Sequence, residues 1–407
     1  MNFLRIWITL PDGETTELGE LAFDEPRPNG TAPTAFRYAS SWLERKDAFP
    51  INPDPQMLPL VATEFQASHL GPPLQALNDA LPDDWGRRLI IAEQRLPRHQ
   101  QSPYWIMRAV AGNSLGALSF SGKTTPPART RSSHALADLA TAAAAFDAHQ
   151  PIEDAELKRL YAAGATPGGA RPKALVAAHG GEWIAKFPSV VRDNGFDVVG
   201  LEATSLELAR CAGLDVPESH LVDLGKRRAL LIRRFDITPA GGRVHMLSLS
   251  TLCREAGGIH CQSYNDPAAA IRKFTDDGDD LIRFFRQMSF NAAIGNTDDH
   301  LKNFAMIRDE RGYRLSPAFD LVPDIGRNGD HVMAMGHQFG TPSGGDLLDV
   351  GRQWFHDPAR AKQIVEEVIG TVDRFRATAK EFGVTPDSVE FFAADIEKRI
   401  RKMRAGL

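Results

Sequence analysis

The 407-residue sequence predicts an α+β fold, rich in short strands at its start and helical towards its end. Three observations predict it. The opening third alternates β-branched and aromatic runs with turn residues. The middle interleaves strand-like runs with glycine-bearing loops. The final third carries long segments with apolar residues at helical spacing. A chain of this length accommodates two or three domains and a large buried core.

In chain order, residues 3–8 (FLRIWI) read as a strand from their β-branched and aromatic content, and Pro11-Asp12-Gly13 turns the chain into 15–18. Residues 81–90 (LPDDWGRRLI) read as a helix start with Pro82 or Asp83 at its entry. Residues 122–133 read as a linker. An Ala-rich helix is expected over 135–149, and another over 154–162. Strands follow at 174–178 and 183–188, then a helix from about 199 to 212 ended by Gly213. Residues 228–236 read as a buried strand. Residues 280–294 place Leu281, Phe284, Phe285, Met288 and Ala292 on one helical face and stop at Gly295, and 358–375 and 386–403 read as further amphipathic helices. The domains expected are 1–128, 129–236 and 237–407.

Composition excludes some classes. A net charge of −5 argues against a surface that binds nucleic acid as a whole. Cys211, Cys253 and Cys261 are odd in number and widely spaced, which suits a reducing compartment rather than a disulfide framework. The first ten residues fit a strand and turn better than a signal peptide, and no apolar stretch approaches the ~20 residues that span a bilayer. A cytoplasmic protein with no membrane contact is expected.

The chemistry concentrates in residues 295–304 (GNTDDHLKNF) and 315–320 (LSPAFD). Asp298 and Asn303 are spaced D-x-x-x-x-N, as in a kinase catalytic loop, where the Asp accepts a hydroxyl proton and the Asn holds magnesium. Asp320, on an apolar run (Tyr313, Leu315, Phe319, Leu321) that reads as a strand, would supply a second metal ligand. Oxygen donors without a Cys or His cluster suit magnesium better than zinc. Asp299 is the alternative base, but its spacing to Asn303 is one residue short. His300 suits loop shaping or phosphate contact more than metal ligation.

Three other clusters are weaker alone. Residues 164–173 (GATPGGARPK) could cradle phosphate, or be an ordinary glycine turn. Lys186 in an apolar strand could reach phosphates or snorkel to the surface. Residues 232–236 could pair with adenine, or form a core strand ending in a surface ion pair. The basic run 398–404 reads as a solvated helix end. Their order, with a mixed first half and a helical second half, is that of a bilobal kinase.

Residues 168–174 (GGARPKA), 183–188 (WIAKFP), Arg234-Phe235-Asp236, 295–304 and 318–321 (AFDL) resemble the HipA family of toxin–antitoxin serine/threonine kinases. Phe36-Arg37-Tyr38, Trp42-Leu43, Pro59-Leu60 and 81–89 resemble that family's β-rich N-terminal domain. The resemblance implies a protein kinase-like fold with a helical C-terminal lobe, ATP and Mg²⁺ as cofactors, and phosphate transfer to a protein serine or threonine. It implies Asp298 as base, and Asn303 and Asp320 as metal ligands. Lys186 would contact phosphate, and Gly168, Gly169, Ala170, Arg171, Pro172 and Lys173 would form the loop over the nucleotide. Arg233, Arg234 and Phe235 would form the adenine hinge, with His300, Leu301, Lys302 and Phe319 lining the pocket. Family members phosphorylate a serine in the loop before those glycines; the aligned residue here is Thr166. The resemblance also implies a helix-turn-helix antitoxin, operator DNA reached through it, and growth arrest and persistence, with aminoacyl-tRNA synthetases among known family targets. A small-molecule phosphotransferase and a corepressor or binding module of weak catalysis are the alternatives.

Overall fold

The computed structural model describes residues 2–24, 32–129, 135–164, 169–225, 227–253, 263–275, 277–326 and 328–407. Thr166, Gly168 and Cys261 therefore lie outside the described residues. The chain divides into two compact units. The first comprises Met1–Ala185, Arg234–Ile259 and Ile307–Arg311; the second comprises Lys186–Arg233, His260–Met306 and Gly312–Leu407.

The first unit is organised on a five-stranded sheet ordered Phe65–Ser68, Pro33–Tyr38, Thr15–Phe23, Asn2–Thr9, Leu118–Ser121, with antiparallel neighbours. Alternation puts Leu4, Ile6 and Ile8 into the core, as a period of two requires; Trp7, on the opposite face, is also buried, and the register beside it shifts where the partner strand carries one extra residue, Leu18. Gly19 is needed where it stands: a Cβ there would come within 2.3 Å of the Arg37 carbonyl oxygen. The predicted helix entry at 81–90 is the helix Asp84–Glu93. Asp83 occupies its N-cap position but does not cap it; the carboxylate instead accepts from the Gly169 N–H at 3.2 Å. The Ala-rich and following helices are Leu136–Asp147 and Asp154–Gly164.

His245 in this unit is buried, with Nε2 2.9 Å from the Ile51 carbonyl oxygen. Burial lowers its pKa from 6.5 to about 4. The native state thus resists a proton that the unfolded chain accepts. Stability is therefore expected to fall as pH drops from 6.5 towards 4, by roughly 3 kcal/mol from this group. Urea unfolding at pH 7 and 4.5 measures it, and His245→Gln should remove this fraction of the pH dependence.

The second unit is mainly helical. The helix Asp280–Ile294 packs against Asn265–Phe274, Gly344–Phe355, Pro358–Val372 and Pro386–Arg404. The predicted apolar face is buried, and so are Ser289 and Asn291, because helices cover it on several sides. Gly295 ends it at φ +78°.

Several expectations change. The strand 228–236 is Arg228–Arg233; from Arg234 the chain leaves it. The helix 358–375 stops at Val372, and Phe375–Glu381 is a separate short helix. The helical second half also contains strands, including a hairpin of Asp330–Met335 and Gln338–Gly340. Arg399, read as part of a solvated helix end, is buried: it pairs with Asp395 at 2.6 Å and donates to the Thr341 hydroxyl at 3.0 Å and the Asn328 carbonyl oxygen at 3.1 Å. Among the described residues no helix is long and apolar enough to cross a membrane.

Candidate active site

Lys186 ends the strand Gly181–Lys186 and turns its ammonium between two carboxylates. Its Nζ lies 2.5 Å from Glu202 Oε1 and also contacts Asp320 Oδ1. Glu202 projects from the helix Val198–Cys211 and is only 8% exposed. Burial works against the ammonium, but the charges of Asp320 and Glu202 outweigh it and hold the Lys186 pKa above the ordinary lysine range. The lysine therefore stays cationic in the neutral range. It does not snorkel to solvent, because its charge is met inside.

Asp320 is not on a strand. The strand Gly312–Leu315 ends five residues earlier, and Asp320 has φ +54°. That left-handed conformation is costly for a residue with a Cβ and persists only where surrounding contacts impose it. Here Lys186 holds the carboxylate and Asn296 Nδ2 donates to the Asp320 carbonyl oxygen at 3.3 Å.

Asp298 leaves the loop after Gly295 with its side chain 72% exposed, and His300 Nε2 is 3.7 Å from Asp298 Oδ1. Asn303 closes a 3₁₀ turn, Leu301–Asn303, and its Nδ2 donates to the Asp298 carbonyl oxygen at 2.8 Å. The amide nitrogen is thereby used within the loop, leaving Oδ1 as the group's oxygen donor. Asp299, weighed as an alternative base, is fully buried and accepts hydrogen bonds at both oxygens, from Tyr264, His331 and the Val332 N–H. Asp298 is the accessible carboxylate of the pair.

Lys186, Asp298, His300, Leu301, Lys302, Asn303, Phe319 and Asp320 all belong to the second unit, as does Arg233. Gly169, Ala170, Arg171, Pro172, Lys173, Arg234 and Phe235 belong to the first. Gly169 has φ +95°, and a Cβ on it would stand 2.6 Å from Lys173 Nζ, so the lysine folds over the glycine. Arg233 is exposed and pairs with Glu218 at 2.8 Å. Arg234 is the reverse: its guanidinium is 1% exposed and pairs with Asp236 at 2.6 Å and Glu182 at 3.3 Å. The ion pair expected at the surface is thus an internal one. The backbone N–H groups of Arg233 and Arg234 already donate to the carbonyls of Glu218 and Glu182.

Glu202 escaped sequence reading. The available signal was a carboxylate inside an otherwise apolar helical stretch, Val198 to Ala203, where an unpaired charge would be costly. Asn291 and Asn296, buried polar residues flanking Gly295, were also missed.

A lysine held by a helix glutamate and a loop aspartate, beside a D-x-x-x-x-N turn, is the arrangement protein kinases use. Residues 165–375 match the HipA-like C-terminal domain. The chain belongs to the HipA family. Residues 13–121 match the HipA N-terminal domain. Among similar proteins, "Putative kinase Y4dM" of Sinorhizobium fredii is 31% identical over 221 residues, 49% of this chain and 51% of Y4dM. The chain thus spans about half the length of that relative. The serine/threonine-protein kinase toxin HipA of Shewanella oneidensis is 24% identical over 341 residues, 75% of this chain and 72% of that one. A solved structure from the Shewanella oneidensis MR-1 toxin–antitoxin system, HipA with HipB and operator DNA, superposes with a TM-score of 0.68. It covers 97% of this chain and 95% of that chain at 18% identity. The fold is therefore the protein kinase-like fold of HipA.

Proposed function

We propose that this chain is a HipA-type toxin kinase that transfers the γ-phosphoryl group of ATP to a serine or threonine of a protein. The observation that carries the reading is the Lys186–Glu202–Asp320 triad, an internal cation fixed between two carboxylates from distant segments. The donor set fits magnesium. Asp320 and Asn303 offer the hard oxygens that suit magnesium. When bound, ATP supplies the phosphoryl group and Mg²⁺ offsets phosphate charge. Lys186 adds a cation that needs no reorganisation, and Asp320 and Asn303 present ligand oxygens. Asp298 orients the acceptor hydroxyl and accepts its proton. On the same reading His300, Leu301, Lys302 and Phe319 line the pocket.

The same reading divides the chain into an N-terminal domain (1–128), a nucleotide-binding lobe (129–236) and a catalytic lobe (237–407). Its partners are a helix-turn-helix antitoxin and, through it, operator DNA; the compartment is the cytoplasm. Thr166 is the autophosphorylation site, and an aminoacyl-tRNA synthetase is the first target to assay. The names of the relatives support this assignment. Controlled expression in a bacterium, followed by phosphoproteomics against Asp298→Ala, tests it. Growth arrest with new phosphoserine or phosphothreonine only for the wild-type chain is expected. Labelled metabolites without labelled protein would sink the reading in favour of a small-molecule phosphotransferase.

A further inference from the structure

We propose that Asp299, Tyr264 and His331 are positioning residues: a buried hydrogen-bonded group that fixes the catalytic loop so that Asp298 meets its substrate in one orientation. The inference rests on reading Asp298 as the base. Asp298 and Asp299 are consecutive, yet the first side chain is 72% exposed and the second is fully buried. The inward carboxylate is thus the anchor of the outward one. Asp299 Oδ2 accepts from the Tyr264 hydroxyl at 2.6 Å and from His331 Nδ1 at 2.9 Å, and Oδ1 accepts from the Val332 N–H at 2.8 Å. These donors come from two separate parts of the second unit: Tyr264 precedes the helix Asn265–Phe274, and His331 and Val332 are neighbours on the strand Asp330–Met335.

The group does not end at Asp299. The Tyr264 hydroxyl accepts from Asn291 Nδ2 at 3.3 Å, and Asn291 Oδ1 accepts from Asn296 Nδ2 at 3.1 Å. That same Nδ2 donates to the Asp320 carbonyl oxygen. One continuous set of buried side chains therefore runs from the residue beside the proposed base to the backbone of the proposed metal ligand. Phosphoryl transfer is mostly positioning, so holding these two carboxylates in register is what such a set can contribute. A purely structural role explains it less well, because an apolar core of the same shape is commonly as stable as a buried polar one. Burial and the Asp299 charge also push the Tyr264 hydroxyl well above its ordinary range, so it remains a donor at any working pH.

The test uses Tyr264→Phe, Asp299→Asn, His331→Leu and His331→Asn in the full chain. Tyr264→Phe keeps the ring that packs on Phe284 and Phe304 and removes only the hydroxyl. Hydrogen exchange followed by mass spectrometry should show the peptide over 296–304 exchanging about tenfold faster in Asp299→Asn and Tyr264→Phe, with the helix Pro386–Arg404 unchanged. His331→Asn, whose amide nitrogen can replace Nδ1, should restore slow exchange that His331→Leu loses. Unaltered loop exchange, or a rise spread evenly over the unit, would overturn the proposal. With labelled Mg·ATP and myelin basic protein as acceptor, Tyr264→Phe should lower kcat by about 10–100-fold with KM for ATP within about twofold. The loss should vanish in an Asp298→Asn background; an additive loss would count against the proposal. Faster loop exchange in a chain whose wild type transfers no phosphate would leave the anchor standing and reject the kinase reading. Normal kcat in Tyr264→Phe with an active wild type would do the opposite.

Discussion

Asp298→Asn is expected to slow phosphoryl transfer from ATP by about 10²–10⁴-fold, the usual contribution of a positioned general base. The side chain is 72% exposed, and His300 Nε2 lies 3.7 Å from its carboxylate. Asparagine is nearly isosteric, so no cavity opens and no buried group loses a partner. The Asn303 hydrogen bond goes to the Asp298 backbone carbonyl, which the substitution leaves in place. Stability should therefore stay within about 0.5 kcal/mol of wild type, as for most exposed sites. Calorimetry should show Mg·ATP binding nearly unchanged, because on the proposed reading the metal oxygens are those of Asp320 and Asn303. Labelling of protein at the wild-type rate by the purified variant would refute the role of Asp298.

Lys186→Met is expected to have the larger effect on the molecule as a whole, removing both transfer activity and several kcal/mol of stability. Deleting one member of a buried ionic group commonly costs about 3–5 kcal/mol, because the partner charge stays buried. Here the stranded partner is Glu202, which is 8% exposed; Asp320, 34% exposed, can recover hydration. The sign of the pH dependence follows from the raised lysine pKa. The triad's contribution is fully present below the ordinary lysine pKa and is lost as pH rises through the folded-state value. At neutral pH all of it is in place. Adding Glu202→Gln to Lys186→Met should recover much of the stability and none of the activity. Thermal unfolding and a transfer assay on the same samples separate the two. A double variant no more stable than Lys186→Met would show that Glu202 does not carry the penalty.

How much of this was legible before folding differs from residue to residue. The helix Asp280–Ile294 was read to the residue, since its apolar positions recur at helical spacing and Gly295 can take the φ of +78° that ends it. The alternating apolar run around Asp320 misled. Pro317 interrupts any strand there, and the backbone at Asp320 is dictated by Lys186 and Asn296 rather than by local propensity. Arg399 looked solvated because it sits in a basic run, whereas the carbonyl and hydroxyl that bury it come from residues 58 and 71 positions away. The Arg234–Asp236 pair is local in sequence, but the groups that enclose it are distant: Arg234 also reaches Glu182, 52 residues earlier, and the Gly116 N–H donates to Asp236 at 2.8 Å.

Short-range patterning was enough to place the helices and strands and to nominate Asp298, Asn303, Asp320 and Lys186, because side-chain spacing and turn chemistry act within a few residues. Chain folding chose the partners. Lys186 and Asp320 are 134 residues apart, and Tyr264 and Asp299 are 35 apart. A buried charge keeps its ionised form only where an opposite charge or a donor reaches it through space, and no local run of residues encodes that distance.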